Sequence, residues 1–394
     1  MFQASDASGP PDASDLAAIA RERDLRECFL ESELWEFEKA LGHGTYGIAV
    51  LLRDRDPLRI RRHKRRVVLK RPLETGNNVD DLPREIEALQ RLRGHSHIVQ
   101  ILEASENVKY AQPRAGRTTS FLRRAVGAFT NPPQNIIKDL SGLRGPAVIL
   151  DYIDGGGSLE DLVIKMYDLG ARLPNRMLWS FYYCFQVVRA CAAMTYRGSG
   201  WGKRRARVRK LRLEDTRNKP DDEPHLRLAH GDIACRNVMI GPREPGVPEH
   251  RLVPKLVLID FGMSQYVGTN WGAENMNLTG VAYTMCSLIN LDLWDQEKLA
   301  VYDDGKQTLA GTIQPPASGV DRLAYLDPDL RRLITLSLSQ YTDHNMRYVD
   351  RPSLQNMLRR TRIGANKPAS AFSDIVAETD ESIRQLMQQL FYDT

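Results

Sequence analysis

The chain has 394 residues, of which 42% are hydrophobic and 27% are charged, and its formal net charge is +5. This composition is that of an ordinary soluble globular protein, the length predicts two to three domains, and no stretch approaches the ~20 apolar residues of a membrane span. The five cysteines are scattered without a Cys-x-x-Cys pair, which indicates reduced thiols in a cytoplasmic or nuclear protein and argues against a disulfide framework or a zinc site.

The beginning of the chain predicts disorder followed by a short helix. Residues 1–14 are rich in Ala, Ser, Asp, Pro and Gly and lack periodic apolar residues, which is typical of a disordered segment. From Ser14, which can cap a helix, Leu16, Ile19 and Ala20 fall on one helical face.

Positive charge is concentrated in two clusters. Six of the eight residues 59–66 and seven of the ten residues 203–212 are Lys or Arg. The ordinary interpretation is a pair of solvated loops, and the alternative is a binding site for an acidic partner or a nuclear-import receptor. Neither cluster interleaves aromatic residues, which disfavours nucleic-acid binding.

A glycine-rich stretch, Gly42-His43-Gly44-Thr45-Tyr46-Gly47, precedes a run of strand character. Glycines at this spacing let backbone N–H groups approach phosphate oxygens without Cβ clashes. A dinucleotide-binding fold would need a helix directly afterwards, whereas residues 48–52 are strand-like and a charged turn follows them. The pattern therefore favours a phosphate-binding loop between two antiparallel strands.

Two further elements follow this loop. Residues 67–70 predict a strand ending in Lys70, and we expect Lys70→Met to leave the fold intact because a residue at a strand end fills no core volume. Ile86, Leu89 and, less strictly, Leu92 repeat at helical spacing and predict an amphipathic helix.

The middle of the chain predicts an insert, a buried strand and a core helix. Residues 111–146 fit no pattern. Residues 147–153 predict a buried strand that leads into three glycines at 155–157. Residues 178–194 are apolar and aromatic, which predicts a helix of the core.

The stretch from His230 to Gly262 carries the chemistry. It contains Asp232, Asn237 and Asp260 beside short apolar runs, and such runs can fix polar groups at the edge of a small hairpin. One carboxylate could take a proton from an attacking hydroxyl, while a carboxylate and an amide could hold Mg²⁺, which prefers oxygen ligands. The alternative is that the three residues are ordinary turn and cap residues.

In this order and spacing, the elements from Trp35 to Arg360 resemble the protein kinase family. The resemblance implies an α+β, two-lobed fold, with an antiparallel N-lobe sheet at about 35–152 and a mostly helical C-lobe at about 158–360. Inserts are expected near 111–146, 197–224 and 241–254. Residues 364–394 would form a linker and a C-terminal helix that docks back onto the domain or binds a partner.

The resemblance also implies ATP- and Mg²⁺-dependent phosphoryl transfer to a hydroxyl, with a protein as the expected acceptor. Asp232 would accept or orient the hydroxyl proton, and Lys70, steadied by Glu85 or alternatively Glu87, would hold phosphates. The metal ligands would be Asn237 and Asp260. The nucleotide-binding residues would be Leu41, Gly42, Gly44, Gly47, Ala49, Lys70, Asp151 and Ile153, the last two through backbone groups that contact adenine.

The chain departs from the family pattern after Gly262. The segment 263–273 is short and lacks Ala-Pro-Glu, Gly231 stands where the family often has Arg, and Arg351 lacks its usual glutamate partner. The position of a family aspartate is held by Glu274 or Asn275. Two alternatives therefore stay open: a small-molecule phosphotransferase of the aminoglycoside or choline kinase type, and a pseudokinase that serves as a nucleotide-binding scaffold.

Overall fold

A computed structural model provides the coordinates. It describes residues 13–30, 32, 35–44, 47–55, 65–73, 81–105, 146–184, 191, 194, 227–244, 246–247, 250–294 and 297–391. The N-terminal residues 1–12, the bulk of the predicted insert at 111–146, the whole insert at 197–224 and most of the basic cluster at 59–66 lie outside the described residues.

Within these residues the protein is α+β, as predicted, with a five-stranded antiparallel sheet in the order β1-β2-β3-β5-β4. The strands are β1 (Trp35–Gly44), β2 (Gly47–Asp54), β3 (Arg66–Arg71), β4 (Ile101–Ser105) and β5 (Ala147–Asp151). Strands β1 and β2 pair up to Gly44 opposite Gly47, so the glycine-rich stretch joins two antiparallel strands.

The remaining described elements are eight helices and three two-stranded ladders, β6-β9, β7-β8 and β10-β11. The helices are α1 (Ala13–Leu30), α2 (Asp81–Arg91), α3 (Leu159–Asp168), α4 (Asn175–Cys184), α5 (Asn270–Asn290), α6 (Pro328–Ser337), α7 (Leu354–Ala365) and α8 (Asp380–Phe391). The short strands are β6 (Leu228–Ala229), β7 (Val238–Ile240), β8 (Leu256–Leu258), β9 (Gln265–Tyr266), β10 (Ala300–Tyr302) and β11 (Lys306–Thr308). Across the described ranges, every helix is too short or too polar to cross a bilayer.

Both faces of the sheet are covered, which explains why β2 reads as a continuous apolar run instead of an alternating one. On one face, α2 contributes Ile86 and Leu89 to the main core, which extends into the helical part of the chain. On the other face, Leu25 and Phe29 of α1 pack with Trp35 against alternate residues of β2, β3 and β5.

Helix α1 differs from the predicted short helix in its length and in its buried face. It begins at Ala13 and extends over 18 residues. Leu16 and Ile19 are 55% and 59% exposed, whereas Ala18, Leu25 and Phe29 are buried. The predicted apolar face was wrong because the positions that meet the sheet lie mainly in the second half of the helix.

The helical part packs around α4, whose Trp179, Phe181 and Tyr182 are buried as expected for a core helix. Helix α8 lies on this part through Ile383, Met387 and Leu390, which are buried in the main core. The C-terminal helix is thus packed onto the rest of the chain.

Candidate active site

Lys70 is buried between two carboxylates. Its Nζ lies 2.7 Å from Glu85 Oε2 and 2.6 Å from Asp260 Oδ1. Strand β3 places Lys70 opposite Ala49 of β2 and Val148 of β5, while α2 carries Glu85 and packs beside the sheet. We call Lys70, Glu85 and Asp260 the lysine triad.

The structure separates Glu85 from its alternative, Glu87. Glu85 is 1% exposed and contacts Lys70. Glu87 forms an ion pair with Arg91 one turn along α2, at 2.6 Å, and about half of its side chain is exposed. Glu85 is therefore the residue that steadies Lys70.

The lysine triad carries one positive and two negative charges away from water. Burial by itself lowers the pKa of Lys70, but the carboxylates of Glu85 and Asp260 outweigh this effect and raise it. Burial raises the pKa of Asp260, but the attraction of Lys70 outweighs that effect and lowers it. For Glu85, burial raises the pKa more than Lys70 lowers it. A buried excess of negative charge is costly unless a cation neutralises it.

The expectation that Lys70→Met would leave the fold intact is contradicted by this environment. Lys70 is 5% exposed, so its replacement would leave two carboxylates facing each other without a counter-charge. Such a loss is strongly destabilising in proteins.

Each carboxylate oxygen of Asp232 accepts a hydrogen bond from a nearby side chain. Asn237 Nδ2 donates to Asp232 Oδ2 at 2.9 Å and to the main-chain oxygen of Asp232 at 2.8 Å. Arg236 donates to the other carboxylate oxygen. One turn of 3₁₀ helix, Cys235–Asn237, brings both donors back to Asp232. The carboxylate is thereby fixed in direction while remaining partly exposed.

The hairpin of β7 and β8 brings Asn237 and Asp260 to the same edge. Val238 pairs with Leu258, and the amide of Ile259 donates to the Asn237 carbonyl at 2.9 Å. Asp260 follows in the left-handed region, with φ 61° and ψ 74°. This conformation is unusual for a residue other than glycine, and strain of this kind concentrates at functional sites.

The donor set at this edge fits Mg²⁺. Asn237 is fully buried, its Nδ2 is used by Asp232, and its Oδ1 has no hydrogen-bond partner among the described residues. Asp260 adds a carboxylate, and the neighbouring triad has a net negative charge. Oxygen ligands from one or two side chains, completed by phosphates and water, are typical of protein-bound Mg²⁺. In the described part of the chain, no group of three His, Cys, Asp or Glu side chains offers an alternative metal site.

His230 forms hydrogen bonds that hold the stretch from His230 to Gly262 together. The amide of Asp232 donates to His230 Nδ1 at 3.2 Å, and His230 Nε2 lies 3.0 Å from the Ile259 carbonyl. Because Nδ1 accepts and a carbonyl can only accept, the imidazole is neutral with its proton on Nε2. Burial lowers the pKa of His230 below its usual range, which favours the same neutral form.

Asn277 of α5 is a site residue that the sequence did not reveal. Its Oδ1 accepts from the His230 amide at 2.9 Å and its Nδ2 donates to the Leu228 carbonyl at 2.9 Å. The predicted positions, Glu274 and Asn275, do not make these contacts. The spacing of Asn277 from the buried Val281, one turn later, is the signal that could have identified it.

Gly231 has a structural reason to be glycine. Its φ is +82°, and a Cβ there would lie 2.4 Å from the carbonyl oxygen of Met263. An arginine at this position, as the resembling family often has, would meet both the strained φ and the clash. The close approach brings the backbone beside Asp232 against the segment that follows Gly262.

Apart from Lys70 of β3, the predicted nucleotide-binding residues lie on β1 and β2 and at or just after the end of β5. Gly47 has φ +146°, and a Cβ there would lie 2.1 Å from the Arg71 carbonyl. Leu41 is partly exposed and Ala49 is buried opposite Lys70. The remaining glycines are Gly42, with φ +152°, and Gly44, the last residue of β1.

The two predicted adenine contacts, Asp151 and Ile153, differ in whether their main-chain groups are already hydrogen-bonded within the protein. The Asp151 amide donates to the Gln100 carbonyl at 2.9 Å, and its carboxylate pairs with Arg65 at 3.3 Å. That amide is therefore used within the protein. Within the described ranges, the main-chain groups of Ile153 make no hydrogen bond, which leaves them available for a ligand.

Arg351 contacts neutral groups in place of a glutamate. It donates to Thr279 Oγ1 and to the Ser339 carbonyl, each at 2.9 Å, and its guanidinium stacks 3.4 Å from the Tyr348 ring centroid. Glu274 accepts from the amide of Leu354 at 2.5 Å. Among the described residues, helix α5 is thus bound to the start of α7 without an arginine–carboxylate pair at Arg351.

No protein-family model matches the chain, and no curated protein matches it. The contacts of the lysine triad and of the Asp232–Asn237 turn therefore carry the functional proposal.

Proposed function

We propose that the protein transfers a phosphoryl group from Mg·ATP to a hydroxyl, with a protein as the acceptor, in the manner of a divergent protein kinase. The observation that carries the proposal is the lysine triad. It joins a sheet lysine, a helix carboxylate and a hairpin carboxylate beside an asparagine oxygen that has no partner among the described residues. The antiparallel sheet with α2, followed by a mainly helical remainder, supports a two-lobed kinase fold.

The nucleotide would be held by groups that have spare binding capacity. The cation of Lys70 attracts phosphate oxygens, and the glycines from Gly42 to Gly47 allow a close backbone approach. Ile153 offers main-chain groups to adenine. Asn237 and Asp260 would hold Mg²⁺, which when bound neutralises charge on the phosphate oxygens.

Asp232 would orient the acceptor hydroxyl and take its proton. Both carboxylate oxygens are fixed by hydrogen bonds, from Arg236 and from Asn237, so the group needs little reorganisation when the hydroxyl arrives. A positioned base of this kind contributes roughly 10²–10⁴-fold to the rate. In this proposal Lys70 binds phosphate and Asp260 binds Mg²⁺, whereas Asp232 accepts the proton of the acceptor hydroxyl.

A small-molecule acceptor is the second candidate, and one observation favours it. Helix α5 begins at Asn270, so only the residues 264–269 separate Met263 from that helix. This leaves little backbone on which an extended peptide could lie. A panel of peptides, proteins and small alcohols with labelled ATP separates the two acceptors.

The proposal is tested by substituting two aspartates to which it assigns different roles, Asp232 in proton transfer and Asp260 in Mg²⁺ binding. Asp232→Asn should keep Mg·ATP binding and lower transfer by roughly 10²–10⁴-fold. Asp260→Asn should weaken Mg²⁺-dependent ATP binding itself, because a neutral amide is a poorer ligand for a hard dication. Binding is measured by calorimetry and transfer with labelled ATP, on the parent and on both variants.

Two outcomes would contradict the proposal. One is an Asp232→Asn variant that transfers phosphate as fast as the parent. The other is an Asp260→Asn variant that binds Mg·ATP unchanged. A scaffold without activity would instead show Mg·ATP binding but no transfer in the parent to any acceptor of the panel.

A further inference from the structure

The last residue of helix α8 lies against the glycine segment, which we define as residues 154–157 directly after Ile153. A Cβ placed on Gly156 would lie 2.0 Å from Cδ1 and 2.3 Å from Cε1 of Phe391. The aromatic ring therefore contacts this backbone at a distance that only glycine permits. The contact joins the C-terminal helix to a segment that the proposed function places beside adenine.

The opposite side of the glycine segment lies against β7. A Cβ on Gly155 would lie 1.8 Å from the Ile240 carbonyl oxygen, and the Ile240 amide donates to the Gly157 carbonyl at 2.7 Å. Strand β7 begins directly after Asn237. The glycine segment is therefore enclosed between the strand that follows a proposed metal ligand and the ring of Phe391.

Helix α8 is held firmly enough to present this ring. Lys165 Nζ donates to the Leu390 carbonyl at 2.9 Å, and Leu390 itself is buried. Just before the helix, the buried carboxylate of Glu378 accepts from the first-turn amides of Asn175 and Arg176 at 2.6 and 2.8 Å. A carboxylate at a helix N-terminus is stabilising, so both ends of the C-terminal segment are fastened to the helical part.

From these contacts we propose that Phe391 is a positioning residue for the nucleotide. Its ring holds the glycine segment against β7 and so fixes the main-chain groups of Ile153. Three consecutive glycines have large conformational freedom, and ordering them on binding would cost entropy that the Phe391 contact removes beforehand. The inference rests on the proposed function, because it assigns Ile153 to the adenine of ATP.

The direct test is Phe391→Ala, with Gln389→Ala as the matched control on the same turn, where the side chain is exposed. Phe391→Ala should raise the Kd for Mg·ATP roughly tenfold and leave kcat within about twofold, because Asp232 and Asn237 are held by separate contacts. Gln389→Ala should leave both unchanged. Phe391→Leu, which retains an apolar side chain, should restore part of the affinity and guards against a general loss of folding.

A reciprocal substitution tests the contact itself. Gly156→Ala should displace the ring and raise the Kd in the parent, but it should have little further effect in the Phe391→Ala background, where the ring is absent. Coupling of this kind is what a double-mutant cycle measures. Additive effects of the two substitutions would overturn the proposal.

Hydrogen exchange supplies a readout that needs no nucleotide. Amides of the glycine segment should exchange faster in Phe391→Ala than in the parent or in Gln389→Ala. If the parent binds Mg·ATP, the inference alone would be overturned by a Phe391→Ala variant whose glycine-segment amides exchange at the parent rate or whose Kd equals that of the parent. A parent that does not bind Mg·ATP would overturn the proposed function together with the nucleotide role of Phe391.

Discussion

Two ionic clusters, one buried and one partly exposed at its glutamate, lie beside strand β8 and differ in how their polar atoms are satisfied. One is the lysine triad. The other, the histidine cluster, contains His97, Glu244, His250 and Lys255, with His97 Nε2 3.2 Å from His250 Nε2 and Glu244 accepting from His250 and Lys255 at 3.0 and 2.7 Å. The His97 carbonyl accepts from the amide of Leu258 at 3.0 Å, so this cluster supports the strand from which Asp260 emerges.

The difference between the clusters supports the proposal that the lysine triad, and not the histidine cluster, binds a ligand. In the histidine cluster the charges of Glu244 and Lys255 balance, and none of its four residues has a buried side-chain atom without a partner among the described residues. The lysine triad has an excess carboxylate, and the nearby Asn237 Oδ1 has no partner in the described ranges. Buried polar groups in proteins are usually satisfied, so an unsatisfied acceptor beside excess negative charge supports the cation site of the proposed function.

The largest expected effect is the loss of the triad lysine. Lys70→Met should lower the free energy of unfolding by about 3–5 kcal/mol near neutral pH, as the loss of one member of a buried ion pair does, and should abolish Mg·ATP binding. The two remaining carboxylates would have folded pKa values above their unfolded ones. Stability is then retained below about pH 4 and lost as the pH rises through the raised folded values. Urea unfolding at pH 5 and pH 8 measures this difference.

Lys255→Met is the matched control in the histidine cluster. Glu244 would keep its bond to His250, so we expect a smaller cost, about 1–3 kcal/mol for a lost charged hydrogen bond, and unchanged Mg·ATP affinity in the folded protein. If the two lysine substitutions cost the same at both pH values, the distinction between an unsatisfied and a satisfied cluster would be wrong.

The sequence predicted the members of the lysine triad, Lys70 and Glu85 as a pair and Asp260 as a metal ligand, better than it predicted the supports around them. The resemblance favours Glu85 and leaves Glu87 as the alternative. In the structure Glu85 shares a helical face with the buried Leu82 and Leu89, whereas Glu87 does not. The hairpin that joins Asn237 and Asp260 likewise follows from short apolar runs that are close in the chain.

The supports were missed because they depend on contacts between distant parts of the chain. The spacing of Asn277 from Val281 places it on the buried face of α5, but a polar residue inside a helix is commonly assigned to a cap, and its partners His230 and Leu228 lie 47 and 49 positions away. The buried side of α1 is set by the sheet and not by a regular stripe in its own sequence. Nothing near Gly156 indicates an aromatic ring that comes from a residue 235 positions later, Phe391.

The next largest expected effect is a pH dependence of stability caused by His230, because its hydrogen bonds require the neutral imidazole. Its folded pKa is lowered by burial, so on acidification the unfolded state takes up a proton first. Its contribution to stability is present above the ordinary value of about 6.5 and is lost as the pH falls below it, towards the lower folded value. His230→Gln, which does not titrate, should lose less stability than the parent between pH 7.5 and pH 5.5.

The control for this titration is His344→Gln, since His344 is exposed. That variant should show the same loss of stability as the parent over the same range, measured by urea unfolding in matched buffers. A parent and a His230→Gln variant with parallel pH profiles would show that another group governs the acid response.

The smallest expected effect tests which carboxylate belongs to the triad. Glu87→Gln removes an exposed ion pair with Arg91, and pairs of this spacing on a helix contribute only about 0.2–0.5 kcal/mol. Mg·ATP affinity should stay at the parent value. Glu85→Gln has the same chemistry two positions away, but it removes the buried partner of Lys70 and should weaken Mg·ATP binding, because Lys70 would then pair with Asp260 alone and compete with Mg²⁺ for it. Calorimetric titration of both variants measures the two affinities. If Glu87→Gln bound Mg·ATP more weakly than the parent while Glu85→Gln bound it with unchanged affinity, Glu85 would not be the carboxylate that acts with Lys70.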